Sequence, residues 1–213
     1  MHHKQRKERH HFFRKIIRNI NPVIRLLIIS DMVLVGAAGL LGPIFALFVE
    51  EFIQGGNETV AGVAAGIYLI SRSIFQIPIA SMMDRKHNEK YDFLVMFIFT
   101  LIGSLIPLFY LIIDTPLELY IIQFAIGICT AFTYPSYMII FLHYMDKGKE
   151  GTEWSIYYTL TDVIGAILSM IGGYVAATEG FPILIIAVAS LSVLGSLILW
   201  PITSHIGGKR KKA

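Results

Sequence analysis

The stretch GIYLISRSIFQIPIASMMDRKHNEK, Gly66 to Lys90, sets the problem for the whole chain. An arginine, Arg72, stands inside an apolar run, and the run ends in a short charged loop. Its surroundings decide how the run is read. Of the 213 residues, 55% are hydrophobic and only 15% are charged, and the mean hydropathy is +0.65, outside the range of soluble globular domains. Six apolar stretches lie at about 23–49, 59–83, 93–113, 117–142, 154–178 and 182–202. Each supplies the ~20 helical residues that cross a ~30 Å hydrocarbon core. Barrel-type alternation is absent, and a chain in lipid must satisfy its backbone groups internally, so an all-α membrane protein with six transmembrane helices is expected.

The basic residues set the orientation. Of eighteen lysines and arginines, eight fall in residues 1–25. The rest outside the spans are Arg85, Lys86 and Lys90, then Lys147 and Lys149, then Lys209, Arg210, Lys211 and Lys212. The intervening connections carry Glu50, Glu51, Glu58, Asp114, Glu118 and Glu179 and no basic residue. The positive-inside rule then places both termini in the cytoplasm of a multi-pass protein, expected in the plasma (cell inner) membrane. Arg72 is the eighteenth.

Residues 1–22 form a basic segment without the shape of a cleaved signal peptide. Phe12, Phe13, Ile16, Ile17 and Ile20 fall on one helical face, so the segment reads either as an amphipathic helix on anionic lipid or as a solvated basic tail. His2, His3, His10 and His11 lack a cysteine or acidic partner set, so no metal and no cofactor is expected. Cys129 is the lone cysteine. Residues 203–213 form a second basic tail, whose ending GGKRKKA reads as a finished anchor.

A weak internal repeat appears at an offset of about 90 residues. Pro43 in GLLGPIFALF corresponds to Pro135 in AFTYPSYMIIF, and YLISR (Tyr68 to Arg72) to YTLTD (Tyr158 to Asp162). Arg72 and Asp162 are thus equivalent positions. Three spans is an odd number, so the second triplet runs inverted relative to the first, giving two inverted three-helix repeats as in secondary transporters.

The loop SMMDRKHNEK after the second span resembles the loop 2–3 signature of the major facilitator superfamily, G-x-x-x-D-R-x-G-R-R. Asp84 and Arg85 match its core; Ala80 and His87 replace its glycines, and Lys90 remains of its basic pair. TLTDVIGAILSMIGGYVAATEGF resembles the family's fifth helix, with Ser169 where an antiporter-type helix often has proline, and Gln123 stands where span four often has arginine. The resemblance covers nearly the whole chain, as one six-helix half of a twelve-helix fold. It implies a secondary transporter working by alternating access. One half alone either is a fragment or is completed by a second copy, and a parallel homodimer is the preferred expectation. The resemblance also implies that spans one and four line the cavity, that two and five face the other half and that three and six form the outer wall. Asp84 and Arg85 would form a cytoplasmic gate against the start of the partner's fifth helix, near Trp154 and Glu153.

Apart from interfacial residues, the spans hold three charges, Asp31, Arg72 and Asp162. A charge near the bilayer centre costs at least ~2.5–3.5 kcal/mol on insertion scales, so these residues are expected to face protein or water and to mark a pathway. Helical-wheel geometry puts Ala65, Tyr68 and Gln76 with Arg72, and Tyr158, Ser169 and Gly173 with Asp162. These two faces are the expected dimer interface: Arg72, Asp162, Ala65, Gln76, Ser169 and Gly173. Arg72 has two candidate partners, Asp162 of a second chain and Asp31 of its own. Span four sets Gln123, Thr130, Tyr134, Tyr137 and Phe141 along one stripe, read as a wet aromatic cavity wall. The pathway is therefore expected to use Asp31, Arg72, Asp162, Gln123, Tyr134, Tyr137, Tyr68 and Tyr158. Asp31 is the candidate proton carrier; a low-dielectric cavity favours a neutral carboxyl and a nearby arginine opposes this.

The expected function is transport of a small, amphiphilic solute, with proton coupling open; the partners are the bilayer, the solute and a second copy, with no nucleic acid. The alternative is a non-transporting membrane scaffold or assembly partner. Enzyme motifs are missing: there is no HExxH, and Gly103-Ser104 and Gly195-Ser196 lack the following glycine of a nucleophile elbow.

Overall fold

The structure, a computed structural model, describes residues 20–86 and 88–207. The expected amphipathic face of residues 1–22, apart from Ile20, the four N-terminal histidines, His87 and the end of the basic tail lie outside the described residues. Six membrane-length apolar helices make up the described chain: α1 (Pro22–Phe52), α2 (Glu58–Lys86), α3 (Glu89–Leu111), α4 (Pro116–Tyr144), α5 (Glu150–Glu179) and α6 (Phe181–Ser204). No strand occurs among the described residues. This is a multi-pass membrane protein.

Local chemistry sets the helix ends. Asn21 accepts a hydrogen bond from the Val23 amide at 2.9 Å, ahead of Pro22 in the first turn of α1, which satisfies an amide that the helix leaves unpaired. Asn88 does the same for Lys90 and Tyr91 at the start of α3. Thr115 and Glu118 form a reciprocal capping box at the start of α4. Gly180, at φ 86°, allows α5 to turn directly into α6. Prolines tighten the helices too: α1 passes through a 3-10 turn at Gly42–Ile44 containing Pro43, and α3 and α6 close in 3-10 turns containing Pro107 and Pro201.

The six helices pack as two groups. α1 packs chiefly on α5 and α6, while α2 and α3 pack chiefly on α4, and α3 meets α6 across the seam. Small residues let the backbones approach. A Cβ on Gly172 of α5 would collide with the Leu40 carbonyl of α1, and one on Gly127 of α4 with Ser71 and the Tyr68 carbonyl of α2. Gly39 of α1 likewise faces the Gly165 carbonyl and Ser169 of α5. Such contacts substitute for a hydrophobic drive that lipid does not supply.

Two apolar clusters hold the ends of the bundle. One gathers Phe48, Tyr110, Leu119, Phe181 and Leu184, at the end carrying Glu50, Glu51, Glu58, Asp114 and Glu179. The other gathers Ile24, Leu27, Phe93, Met96, Phe141 and Ile202, at the end carrying Arg25, Arg85, Lys86, Lys90, Lys147 and Lys149. Polar ties close both ends: Gln54 joins Asp114 through backbone and side-chain bonds of 2.7 and 3.0 Å, and His143 Nε2 lies 2.8 Å from Glu89 Oε1.

The two glycine crossings give a direct stability test. Gly172→Val and Gly127→Val are each expected to lower stability by about 1–3 kcal/mol by overpacking, read as an earlier thermal unfolding midpoint in detergent. Gly62, which has open space where a Cβ would stand, is expected to accept alanine without loss.

Candidate functional site

A cavity of about 550 Å³ lies within the bundle. α1 supplies Asp31, Leu34 and Ala38; α2 supplies Ala65 and Tyr68; α4 supplies Gln123, Cys129, Thr130 and Thr133. Thr100, Gly103, Ser104 and Tyr110 of α3 and Val188 and Ser192 of α6 also reach it. The outer-wall expectation for spans three and six is therefore incomplete: both helices cross the seam where the cavity lies. Among the described residues that line it, Asp31 is the one charged side chain.

The polar groups of the cavity are held by short bonds. Tyr157 on α5 donates its hydroxyl proton to Asp31 Oδ2 at 2.7 Å, joining α5 to α1. Gln123 Nε2 donates to the Tyr110 hydroxyl at 3.2 Å. Thr100 and Thr133 approach at 3.4 Å, and Ser104 and Ser196 at 2.7 Å. The walls between these groups are mostly apolar, so the space suits a molecule with a greasy body and a few polar points.

Arg72 and Asp162 lie elsewhere. Arg72 Nε donates to Gln76 Oε1 at 3.1 Å, one helical turn along α2, and its guanidinium stands 5.0 Å from the centre of the Tyr134 ring. A cation over an aromatic face gains about 0.5–2 kcal/mol, so Arg72 has partial compensation without an anion. Among the described residues it makes no ion pair with Asp31 or Asp162. The intrachain Arg72–Asp31 pair is absent because Asp31 turns to Tyr157 while Arg72 turns along its own helix. Asp162 is exposed on α5. These two helices are the least buried spans, at 17% and 11% against 33–44% for the other four.

The remaining expected residues divide between cavity, core and surface. Tyr68 and Ala65 line the cavity with Gln123. Tyr134 is partly exposed beneath Arg72, and Tyr158 is exposed with its ring edge on Trp154. Tyr137 is buried, packed against Phe141 and Tyr157. The stripe on α4 thus does not stay wet along its length: its first half meets the cavity, and its second half enters the aromatic cluster with Trp154. Ser169 bonds the Gly165 carbonyl at 2.8 Å and faces Gly39 of its own chain. Gly173 lines a second cavity, of about 480 Å³, with Glu50 and Glu51. Asp84 and Arg85 are exposed at the end of α2. Glu153 is buried, accepting from the Asp146 amide at 3.2 Å.

Sequence reasoning missed Tyr157, Tyr110 and the Ser104–Ser196 pair. Tyr157 adjoins Tyr158, but lies on the α5 face that packs on α1; the spacing Tyr157, Thr161, Ile164, Leu168 carries that face.

The sequence pattern of the Major Facilitator Superfamily matches residues 27–213. The chain belongs to that family. Multidrug resistance protein MdtG of Rahnella sp. (strain Y9602) is 27% identical over 172 residues, covering 76% of this chain and 39% of that protein. MdtG of Klebsiella pneumoniae (strain 342) is 25% identical, over 83% of this chain and 43% of its own length. The chain thus spans about two fifths of the multidrug resistance proteins it matches. By contrast, the uncharacterized MFS-type transporter YitZ of Bacillus subtilis (strain 168), 24% identical over 66% of this chain, is covered over 82% of its length. Six membrane-length helices and these matches agree with a half-size member of the superfamily.

The geometry separates two positions on α4. In a Cys129→Ser background, Thr130→Cys is expected to react with a water-soluble maleimide at least roughly ten times faster than Tyr137→Cys, because the first lines the cavity and the second is buried. Equal rates would contradict this placement of α4.

Proposed function

We propose that this chain is a half-size transporter that works by alternating access as a parallel homodimer, moving a small amphiphilic solute across the cell inner membrane with both termini in the cytoplasm. The observation that carries the reading is the placement of two opposite charges, partly exposed Arg72 on α2 and exposed Asp162 on α5, on the two least buried helices, neither of them in an ion pair among the described residues. Left facing hydrocarbon, each would be strongly unfavourable. A two-fold axis along the membrane normal brings α2 of one protomer against α5 of the other, twice, and gives each charge its opposite. Ala65, Gln76, Ser169 and Gly173 are the small and polar neighbours proposed for that interface, although Ala65 and Ser169 also serve contacts within their own chain.

The inverted repeat has support in matching details. Exchanging α1 with α4, α2 with α5 and α3 with α6 returns the same principal packing partners. Ser71 on α2 bonds the Tyr68 carbonyl at 3.0 Å, and Thr161 on α5 bonds the Tyr158 carbonyl at 3.1 Å. Ser104 bonds the Thr100 carbonyl and Ser196 the Ser192 carbonyl, at 2.7 and 2.9 Å. Ser104 and Ser196, 92 positions apart, then bond each other, as equivalent residues on an approximate two-fold axis would.

In this reading Asp31, the single carboxyl among the described cavity-lining residues, carries the coupling proton, and Tyr68, Gln123 and Tyr134 help line the solute path. Asp84 and Arg85 act as the cytoplasmic gate. The concentration of described basic residues at one end supports that end as the cytoplasmic one. The apolar cavity and the word multidrug in the names of two relatives favour an amphiphilic solute over a highly charged metabolite.

Native mass spectrometry from lipid nanodiscs is expected to give a dimer of the 23.9 kDa chain; a monomer throughout would sink the paired-half reading. Arg72→Asp and Asp162→Arg are each expected to weaken dimerisation by roughly ten-fold or more, about 1.4 kcal/mol, and the double exchange to restore much of it.

A further inference from the structure

The bond between Tyr157 and Asp31 joins two helices of one packing group, α5 and α1. Across the seam, on α4, stands Tyr137, whose ring centre lies 6.0 Å from that of Tyr157. Its hydroxyl oxygen is buried and has no hydrogen-bond partner among the described residues. A buried phenol normally finds one, because an unmade bond forfeits hydration without compensation. Phe141 and Trp154 pack around the pair and fix both rings. The surrounding ionisable groups are Tyr158 from α5, Tyr134 from α4 and Arg72 from α2; Arg72 is engaged with Gln76 and Tyr134. Asp31 therefore has one donor in hand, and a second hydroxyl waits without a partner on a helix of the opposite group.

We propose that Tyr157 is the positioning residue that holds the Asp31 carboxyl in this conformation, and that Tyr137 is the second donor, which takes the carboxyl over when α4 moves against α1 and α5 during the access cycle. This rests on the alternating-access reading. A carboxyl passed from one phenol to another keeps a donor in both end states, so the group that is costliest to leave unpaired is satisfied in each and only a neutral hydroxyl is left over. It also makes each end state discrete: the hydroxyl left behind is unsatisfied in either one, and intermediate positions satisfy neither. That is the behaviour of a two-state element at a seam between packed groups.

The test uses the full chain in lipid and needs no identified solute. An infrared difference spectrum between the wild-type chain and Asp31→Asn isolates the Asp31 carboxyl band. The proposal expects this band to shift in Tyr157→Phe and to stay in place in Tyr137→Phe. An unchanged band in Tyr157→Phe would overturn the positioning role. Tyr137→Phe is expected to unfold at the same temperature as wild type or higher, since it removes an unsatisfied hydroxyl. A lower midpoint would mean that the hydroxyl already has a partner, and would overturn the switch. The third arm is maleimide labelling of Thr130→Cys in the Cys129→Ser background from each side of the membrane. Two-sided labelling is expected, and adding Tyr137→Phe should slow one side by about ten-fold or more. If two-sided labelling survives unchanged in Tyr137→Phe, the switch alone fails. If the background labels from one side only, alternating access fails and takes the switch with it, while the infrared result still decides the role of Tyr157.

Discussion

In a bilayer, apolar side chains gain nothing by leaving lipid for protein, so what joins helices is contact close enough for dispersion and for polar backbone atoms to meet. This chain meets that constraint with glycine at the places where backbones touch. Gly172 lies against the Leu40 carbonyl, Gly39 against the Gly165 carbonyl and Gly127 against the Tyr68 carbonyl. These contacts fix α1 on α5 and α2 on α4, and the positions of the other parts follow from them. Because each close pair belongs to one packing group, the seam between the groups is left wider, and the cavity lies along it. The same arrangement leaves the outer faces of α2 and α5 uncovered, where Leu69, Ile70, Ile74, Met170 and Tyr174 are exposed alongside Asp162.

The charges divide according to that geometry. Asp31 lies on the seam side of α1 and is met by a tyrosine hydroxyl. Arg72 lies off the seam and is met by an amide and an aromatic face. Both solutions use groups that sequence hydropathy treats as ordinary, a tyrosine and a glutamine among apolar neighbours. A carboxyl and a guanidinium inside one membrane domain thus need not find each other. Within the chain each is met by local groups instead.

Much of the fold was legible because the membrane simplifies the problem. Hydropathy alone marks six spans, and backbone satisfaction in lipid leaves helices as the form they take. The ends were less clear, since the polar ends of helices continue past the apolar core: α5 runs from Glu150 and α2 to Lys86. The cavity was legible in part. Gln123, Tyr68, Thr130 and Asp31 reach it, and their polarity among apolar residues was the signal. Tyr137 was misread as part of its wall because a straight stripe on a helix keeps one direction while its neighbours change along the axis. The Asp31–Tyr157 bond spans 126 positions, and nothing in local spacing pairs two such residues. The serine pair was hidden for a similar reason: its members are 92 positions apart, on spans expected to form the outer wall.

That serine pair has a consequence of its own. Ser104 and Ser196 each sit within 3 Å of a carbonyl one turn back on their own helix, at 2.7 and 2.9 Å, and within 2.7 Å of each other. Two hydroxyls carry two protons, yet three contacts ask for one. At any instant at most two of the three contacts are hydrogen bonds, and either serine can be the donor to the other. Changing which of the three contacts goes without a proton therefore requires only the rotation of O–H bonds, and no helix moves.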